Sequence, residues 1–137
     1  MRALVIVVLL LVSTVAAAEP TLTATQAIAA AKAWVKAVRA GNTVALAKLS
    51  ALPLPVDVKM EGCKLDKTVG KGELAKHAAC LQKSIGKVKW RDERWHGALR
   101  DGAWHVEQTL DESFHIDLAV AAGRVVRVQA SFSFAGP

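Results

Sequence analysis

The alternation of apolar and polar residues in the C-terminal part of the chain most constrains its fold. After Gly86, the spacing of apolar residues changes from the three- and four-residue steps of helices to the two-residue step of strands. Short turns containing glycine and aspartate interrupt this alternation. Turns of this length join antiparallel neighbours. We therefore predict an antiparallel sheet with strands at 88–95, 103–109, 113–120 and 124–134.

Cross-strand chemistry predicts a register for two of these strands. If Thr109 pairs with Ser113, the residues that face each other are compatible in polarity and charge. One face of the sheet is then apolar and carries even-numbered residues: Phe114, Ile116, Leu118, Val120, Val126, Val128, Ala130, Phe132 and Phe134. The other face gathers two oppositely charged pairs: His105 opposite Asp117, and Glu107 opposite His115.

Capping residues indicate two helices before the sheet. Thr23 and Gln26 have the spacing of a capping box, and Gly41 supplies the left-handed residue that ends a helix. Asn42 can cap a second, shorter helix, which Pro53 prevents from continuing. The chain is therefore predicted to begin with a pair of helices.

The middle of the chain mixes three patterns. Residues 56–60 alternate as a short strand, and the segment 61–72, rich in glycine and lysine, is predicted to be a loop. Residues 73–85 have helical spacing, and Gly86 would end that helix. Three amphipathic helices could then cover the apolar face of the sheet, so the predicted fold class is α+β.

Residues 1–18 have the layout of a cleavable secretory signal, with Arg2, an apolar run over 3–12 and three alanines at 16–18. An uncleaved anchor is the alternative, but about 16 apolar or small residues fall short of the roughly 20 that span a bilayer. Cleavage leaves 19–137 as a single α+β domain without a transmembrane segment. The mature chain is therefore predicted to be secreted or periplasmic.

An extracytoplasmic location changes the interpretation of the two cysteines, Cys63 and Cys80. In an oxidising compartment such a pair favours a structural disulfide. A redox pair is the alternative, but the spacing differs from the Cys-x-x-Cys of redox sites. We therefore predict a disulfide that ties the lysine-rich segment to the third helix.

Positive charge is concentrated between Lys59 and Lys89, where eight lysines face three acidic residues. A basic surface can attract phosphates or anionic lipids. The alternative is a solvated face, which we favour because no arginines or aromatic residues are interleaved with the lysines as in nucleic-acid sites. No nucleic-acid partner is predicted.

The order of elements resembles the nuclear transport factor 2-like superfamily, which includes SnoaL-like proteins and ketosteroid isomerase. The segments that carry the resemblance are 33–42 (AWVKAVRAGN), 45–49 (ALAKL) and the Leu-Pro run at 52–55. The resemblance implies a cone of helices on a curved sheet that can enclose a pocket. A cystatin-like or other α+β sandwich is the alternative.

Catalytic residues are not predicted. Isomerases of that superfamily use an aspartate base with a tyrosine-containing oxyanion site, and this chain has no tyrosine. Asp57, Asp92 and Asp117 fall at alternating positions where a solvent-facing carboxylate is the simpler interpretation. The nucleophile-elbow, phosphate-loop and zinc-protease motifs have no match, and no cofactor is predicted.

Two other groups of side chains are candidates for binding. The cluster of His105, Glu107, His115 and Asp117 could hold a divalent metal, but cross-strand ion pairing explains it as well, so no metal is predicted. Large apolar side chains could line a ligand pocket, although tryptophans at such spacing are more often core residues. The pocket candidates are Trp34, Trp90, Trp104, Phe114 and Ile116.

These observations favour a non-catalytic, secreted or periplasmic module that binds a small apolar ligand or a protein partner. The alternatives are an enzyme acting on a small apolar substrate in the cone pocket, and a binder of metals or anionic surfaces. The resemblance also implies that the polar sheet face can form a homodimer, because members often pair through their sheets. Ala119, Ala121 and Val125 interrupt the polarity of that face.

Overall fold

The computed structural model describes residues 22–133, and the helix predicted from the capping box opens this part of the chain. Helix α1 spans Ala24–Ala40. The backbone N–H of Gln26 donates to the Thr23 hydroxyl at 3.1 Å, and the Thr23 N–H donates to the Gln26 side chain at 2.9 Å. Gly41 ends the helix in the left-handed conformation, with φ 63°. The predicted signal at 1–18 lies outside the described residues.

The second helix and the first hairpin follow directly. Helix α2 spans Thr43–Leu49, and the Asn42 side chain caps it by accepting a hydrogen bond from the Ala45 N–H at 3.1 Å. Strands β1 (Leu54–Met60) and β2 (Cys63–Val69) pair in antiparallel fashion. The predicted loop over 61–72 is therefore wrong. Strand β2 is an edge strand whose outward lysines obscured its alternation, and such lysines are typical of sheet edges.

Helix α3 spans Leu74–Lys83 and ends two residues before the predicted boundary. At Ser84 the backbone leaves the helical region, with φ −111° and ψ −87°, and the Ser84 hydroxyl donates to the Cys80 carbonyl at 3.0 Å. A short 3-10 turn at Ile85–Lys87 follows. The helix therefore ends at Ser84, and Gly86 lies within the 3-10 turn.

The strand predicted at 88–95 is wrong. This segment is a loop with a 3-10 turn at Asp92–Arg94, and the strand β3 begins only at His96 and ends at Arg100. Gln108 holds the loop, since its side-chain carbonyl accepts from the Arg91 N–H at 2.6 Å and its amide donates to the Arg91 carbonyl at 2.9 Å. The segment resembles a strand in sequence because the apolar Val88 and Trp90 alternate with the charged Lys89 and Arg91, and in the structure the first two are buried and the other two exposed.

The remaining strands complete a six-stranded sheet of order β2-β1-β6-β5-β4-β3. Strands β4 (Ala103–Leu110), β5 (Phe114–Ala121) and β6 (Arg124–Phe132) agree closely with the prediction. Neighbours are antiparallel except β1 and β6, which run parallel. Helix α1 contacts the strands β3 to β6 and helix α3 contacts β2, so the helices cover the apolar face. The predicted α+β fold is confirmed.

The predicted register between β4 and β5 is wrong by two residues. Thr109 faces His115 rather than Ser113. The reason is the turn, in which Asp111 and Glu112 both adopt positive φ (53° and 59°), so the chain reverses one residue later than expected. A shift of two residues keeps every side chain on its predicted face, because side chains alternate with a period of two.

In β6, the core residue is Val125 rather than the predicted Val126. A register shift between Ala119 and Val120 in the pairing of β5 with β6 brings Val125 fully into the core, while Val126 is half-buried. Ile116, Leu118, Val120, Val128 and Ala130 are buried as predicted, whereas Phe132 is 38% exposed and residue 134 lies outside the described part. Among residues 22–133, no helix is long and apolar enough to cross a membrane.

Candidate functional site

A cavity of about 660 Å³ opens at one end of the fold, and we call it the mouth cavity. It lies where the β1–β2 turn and the β4–β5 turn meet the end of α3 and the segment that follows it. Its lining comes from elements that are distant in sequence: Met60, Glu61, Gly62, Lys83, Ser84, Lys87, Val88, Lys89, Leu110, Asp111, Phe114 and Phe132. Only the packed fold brings these residues together.

The apolar part of the mouth cavity centres on two phenylalanines. The rings of Phe114 and Phe132 have centroids 4.8 Å apart and planes inclined by 45°, a tilted contact between neighbouring strands. Phe132 is one of the few large apolar side chains exposed among the described residues. Val88 and Leu110 add nearly buried aliphatic surface. An apolar ligand would therefore meet both aromatic and aliphatic groups.

A disulfide restrains the sides of the mouth cavity. Cys63 and Cys80 form a disulfide, with Cα atoms 5.0 Å apart, so the predicted pair is confirmed. The disulfide joins the start of β2 to α3, next to Gly62 and the helix end that line the cavity. The position of the β1–β2 turn relative to α3 is therefore restrained.

Charge is distributed unevenly around the mouth cavity. Lys83, Lys87 and Lys89 lie on the side formed by the end of α3 and the segment after it, and all three are exposed. Glu61 and Asp111 lie singly at the two hairpin turns. The other five lysines of the predicted basic segment lie elsewhere, so the structure divides that segment among separate surfaces.

A second cavity, of about 920 Å³, lies along the β1–β2 hairpin. Its lining comes from that hairpin and Phe132 alone, and it shares Met60, Glu61, Gly62 and Phe132 with the mouth cavity. The mouth cavity is the better candidate site because several separate elements enclose it, as is typical of small-molecule sites.

The pocket candidates from the sequence lie mostly in the core. Trp34 and Ile116 are fully buried, and Trp90 is 8% exposed. The ring N–H of each of the three candidate tryptophans has an acceptor: Trp34 donates to the Ser50 hydroxyl at 3.0 Å, Trp90 to the Ile85 carbonyl at 3.1 Å, and Trp104 to the Leu22 carbonyl at 2.8 Å. Of the five candidates, Phe114 lines the mouth cavity. Leu110 and Val88 also line the cavity, and no sequence pattern marks them, since only the turn geometry places them there.

The four candidate metal ligands lie on the outer face of the sheet, opposite the helices. His105 Nδ1 is 3.1 Å from the Asp117 carboxylate, a diagonal contact, because the corrected register places Glu107 directly opposite Asp117. The Arg100 guanidinium lies between the two carboxylates, 3.2 Å from Glu107 and 3.9 Å from Asp117. His115 instead contacts the Thr109 hydroxyl, with Nδ1 3.0 Å from Oγ1. Within 22–133, no three such side chains are arranged to hold a metal ion.

Two titratable side chains of the described part, Asp57 and His77, are half-buried, and each has one buried polar atom without a hydrogen-bond partner. The buried polar residues of the described chain are Ser50, Ser84 and Gln108, and none of them is a general acid or base at neutral pH. Asp92 is exposed and lies 3.7 Å from Lys32, and Asp117 lies on the outer face. Asp57 is half-buried on β1, with one carboxylate oxygen that lacks a partner among these residues. The mouth cavity offers an apolar surface, and the carboxylates in its lining, Glu61 and Asp111, are exposed at separate turns.

Comparison with known proteins establishes the fold. No model of a protein family matches the sequence, and no curated protein matches it either. Among solved structures, an NTF-2-like protein of unknown function from Burkholderia xenovorans LB400 is 16% identical, covering 82% of this chain and 88% of that one with a TM-score of 0.50.

Two further solved structures are similar at lower scores. A protein with a ketosteroid isomerase-like fold from Catenulispora acidiphila, in complex with trimethylamine, is 13% identical, covering 77% and 85% with a TM-score of 0.45. A protein from Sphaerobacter thermophilus is 11% identical, covering 76% and 93% with a TM-score of 0.49. The chain has the nuclear transport factor 2-like fold, so the resemblance inferred from the sequence is confirmed at the level of the fold.

Proposed function

We propose that this chain is a non-catalytic protein that binds a small, largely apolar ligand in the mouth cavity. The observation that carries the proposal is the cavity itself, whose volume of about 660 Å³ lies within the roughly 300–1,000 Å³ of small-molecule sites. The rings of Phe114 and Phe132, in tilted contact, provide an apolar surface at its opening. Burial of such a surface is the main favourable term in binding apolar ligands.

The chemistry of the interior supports binding over catalysis. The Ser50 hydroxyl accepts a hydrogen bond from the Trp34 ring N–H, and the Gln108 side chain is hydrogen-bonded to the Arg91 backbone. A general base must lie within hydrogen-bond reach of the proton it removes. Among residues 22–133 the fully buried polar residues are not bases, the half-buried Asp57 and His77 lie outside the cavity lining, and the lining carboxylates, Glu61 and Asp111, are exposed at separate turns. The chain also has no tyrosine for an oxyanion site.

The experiment is a titration of the purified mature chain with lipids and sterols, followed by tryptophan fluorescence and checked by calorimetry. Trp90 is the expected reporter because it directly follows Lys89 at the cavity. Phe132→Ala removes an exposed ring from the cavity and should weaken binding about tenfold, which corresponds to roughly 1.4 kcal/mol.

The matched control is Leu99→Ala, because Leu99 is an exposed apolar side chain on β3, outside the cavity lining. It should bind as the unmodified chain does. Equal binding by the Phe132 and Leu99 variants, or no binding of any apolar compound, would refute the proposed function.

Export from the cytoplasm is part of the proposal. The layout of residues 1–18 and the presence of a disulfide both support a location in an oxidising compartment. Intact mass spectrometry of protein from its own host should show a chain lighter than the precursor by about 2 kDa. An unprocessed mass would exclude cleavage.

Homodimerisation through the outer face of the sheet is a second candidate. It is favoured by the helices packing on the opposite face and by the half-buried Ala121, an apolar residue at the end of β5. Of the other two residues predicted to interrupt the polar face, Val125 lies in the core and Ala119 is only 5% exposed. Light scattering should give the mass of two chains, and a monomeric mass across micromolar concentrations would exclude this candidate.

A further inference from the structure

Resting on the proposed function, we infer that the mouth cavity selects amphipathic anions: ligands with an apolar body and one anionic head group such as a carboxylate. The apolar body would lie against Phe114 and Phe132, and the head group would lie at the side of the cavity that carries Lys83, Lys87 and Lys89. The inference depends on three observations: the grouping of the lysines, their lack of partners, and the apolar residue between two of them.

The three lysines form one positively charged side. They fall within a seven-residue stretch that runs from the last residue of α3, through the 3-10 turn at Ile85–Lys87, to Lys89, so their backbone positions share one side of the cavity. The two acidic residues of the lining, Glu61 and Asp111, are separated from each other on different turns. A ligand head group beside the lysines therefore meets several positive charges at once, which raises the local concentration of anions.

These ammonium groups are available to a ligand. Within the described part of the chain, no ion pair or hydrogen bond connects Lys83, Lys87 or Lys89 to a carboxylate. By contrast, the Lys67 ammonium is 2.6 Å from the Glu73 carboxylate. A bound anion would therefore not have to displace an existing partner.

Along residues 87–89, a buried apolar residue alternates with two exposed lysines, so apolar and charged groups lie at different depths in the cavity. Val88, between Lys87 and Lys89, is only 8% exposed, whereas both lysines are exposed. Lysine side chains can lay their methylene stems along apolar surface and keep the ammonium in water. The site thus offers an apolar interior with cationic groups at its opening, which matches a ligand that is apolar along its length and anionic at one end.

The test compares three monomeric probes with the same alkyl chain and different head groups: decanoate, decyl glucoside and decyltrimethylammonium. Calorimetry with the intact mature chain should show decanoate binding about fivefold or more tightly than the glucoside, and the cation binding most weakly. Because the lysines are exposed, added salt should reduce this preference. Equal affinities for the three probes would overturn the inference while leaving the proposed function in place, whereas binding of none would overturn both.

Lysine variants test whether Lys87 and Lys89 cause the preference for decanoate over decyl glucoside. The double variant Lys87→Met and Lys89→Met keeps side chains of similar length but removes two charges, so decanoate should bind about as weakly as the glucoside, and the glucoside should bind as before. The control is Lys76→Met, because Lys76 is exposed on α3 but lies outside the cavity lining. An equal loss of decanoate binding in the control would show a general charge effect and overturn the inference.

An anionic head group could belong to a free ligand or to a lipid surface. Vesicles of phosphatidylcholine that contain phosphatidylglycerol distinguish these two sources. The inference expects decanoate to bind the chain without vesicles and to compete with any vesicle binding that depends on Lys87 and Lys89. Vesicle binding that depends on these lysines and that decanoate does not displace would assign them to a membrane surface and overturn the inference.

Discussion

Gly62 lies directly against the carbonyl oxygen of Lys83. A β-carbon built on Gly62 would be 3.0 Å from that oxygen, and Gly62 has a φ of 88°, which residues with side chains rarely adopt. The contact joins the β1–β2 turn to the end of α3, and the Cys63–Cys80 disulfide lies beside it. A close backbone approach thus brings two sides of the mouth cavity together.

Substitution of this glycine should disturb both stability and binding. We expect Gly62→Ala to lower the free energy of unfolding by about 2–3 kcal/mol, because it combines an unfavourable φ with the contact to Lys83. Ligand affinity should fall as well, since the turn must move away from the helix end. Urea denaturation and calorimetric titration measure the two effects.

Two other glycines separate these causes. Gly102 also has a positive φ (80°), but a β-carbon there would meet nothing within 4 Å, so Gly102→Ala should cost only about 1 kcal/mol. Gly72 has neither feature, and Gly72→Ala should be close to neutral. If Gly62→Ala were no more destabilising than Gly102→Ala, the close approach would have no energetic role.

The disulfide closes a loop of 17 residues between Cys63 and Cys80. Replacement of both cysteines with alanine should lower the free energy of unfolding by about 3 kcal/mol, because the unfolded chain regains the entropy that the closed loop had removed. Denaturation with and without a reductant measures this effect. The double variant should not respond to reductant, and an unchanged midpoint of the natural chain after full reduction would contradict the prediction.

Gln108 should stabilise the loop at 88–95, which carries Lys89 at the mouth cavity. Gln108→Leu leaves the Arg91 N–H and carbonyl without their side-chain partner, so we expect a loss of about 1–3 kcal/mol in the free energy of unfolding. Gln129→Leu, on the exposed face of β6, is the matched control and should change stability little. Equal effects of the two variants in urea denaturation would exclude the role assigned to Gln108.

The ion pair between Lys67 and Glu73 makes stability depend on pH. A hydrogen bond from the Lys67 ammonium, aided by its charge, lowers the pKa of the Glu73 carboxyl below the ordinary glutamate value. The folded chain therefore binds this proton less readily than the unfolded chain. The stabilisation is fully present above the ordinary glutamate pKa and is lost as the pH falls through the lowered value.

Glu73→Gln should accordingly flatten the acid side of the pH–stability profile. The effect is expected to be small, because the pair is exposed and surface ion pairs contribute little. Thermal melting between neutral and acid pH measures it, with Glu112→Gln at an exposed turn as the control. An identical acid limb in the Glu73 variant and the natural chain would show that this pair has no linkage to folding.

Short-range signals in the sequence predicted much of the fold correctly. The Thr23–Gln26 capping box, the Gly41 stop and the Asn42 cap each depend on residues a few positions apart, and all three form as predicted. Alternation likewise identified β4, β5 and β6, since the period of a strand does not depend on its partners. The errors at β2 and at 88–95 arose where charged residues or packing contacts outweighed the pattern.

The sequence by itself determined the fold class and the faces of the main strands, because periodicity is a property of neighbouring residues. It also determined the disulfide pairing, because two cysteines allow only one pair within the chain. Only the tertiary structure decided the register and the candidate site. The positive φ values at Asp111 and Glu112 set how β4 and β5 align, and the packing of α3 against the β1–β2 turn creates the mouth cavity. These features depend on backbone geometry and on contacts between distant residues, which no local pattern encodes.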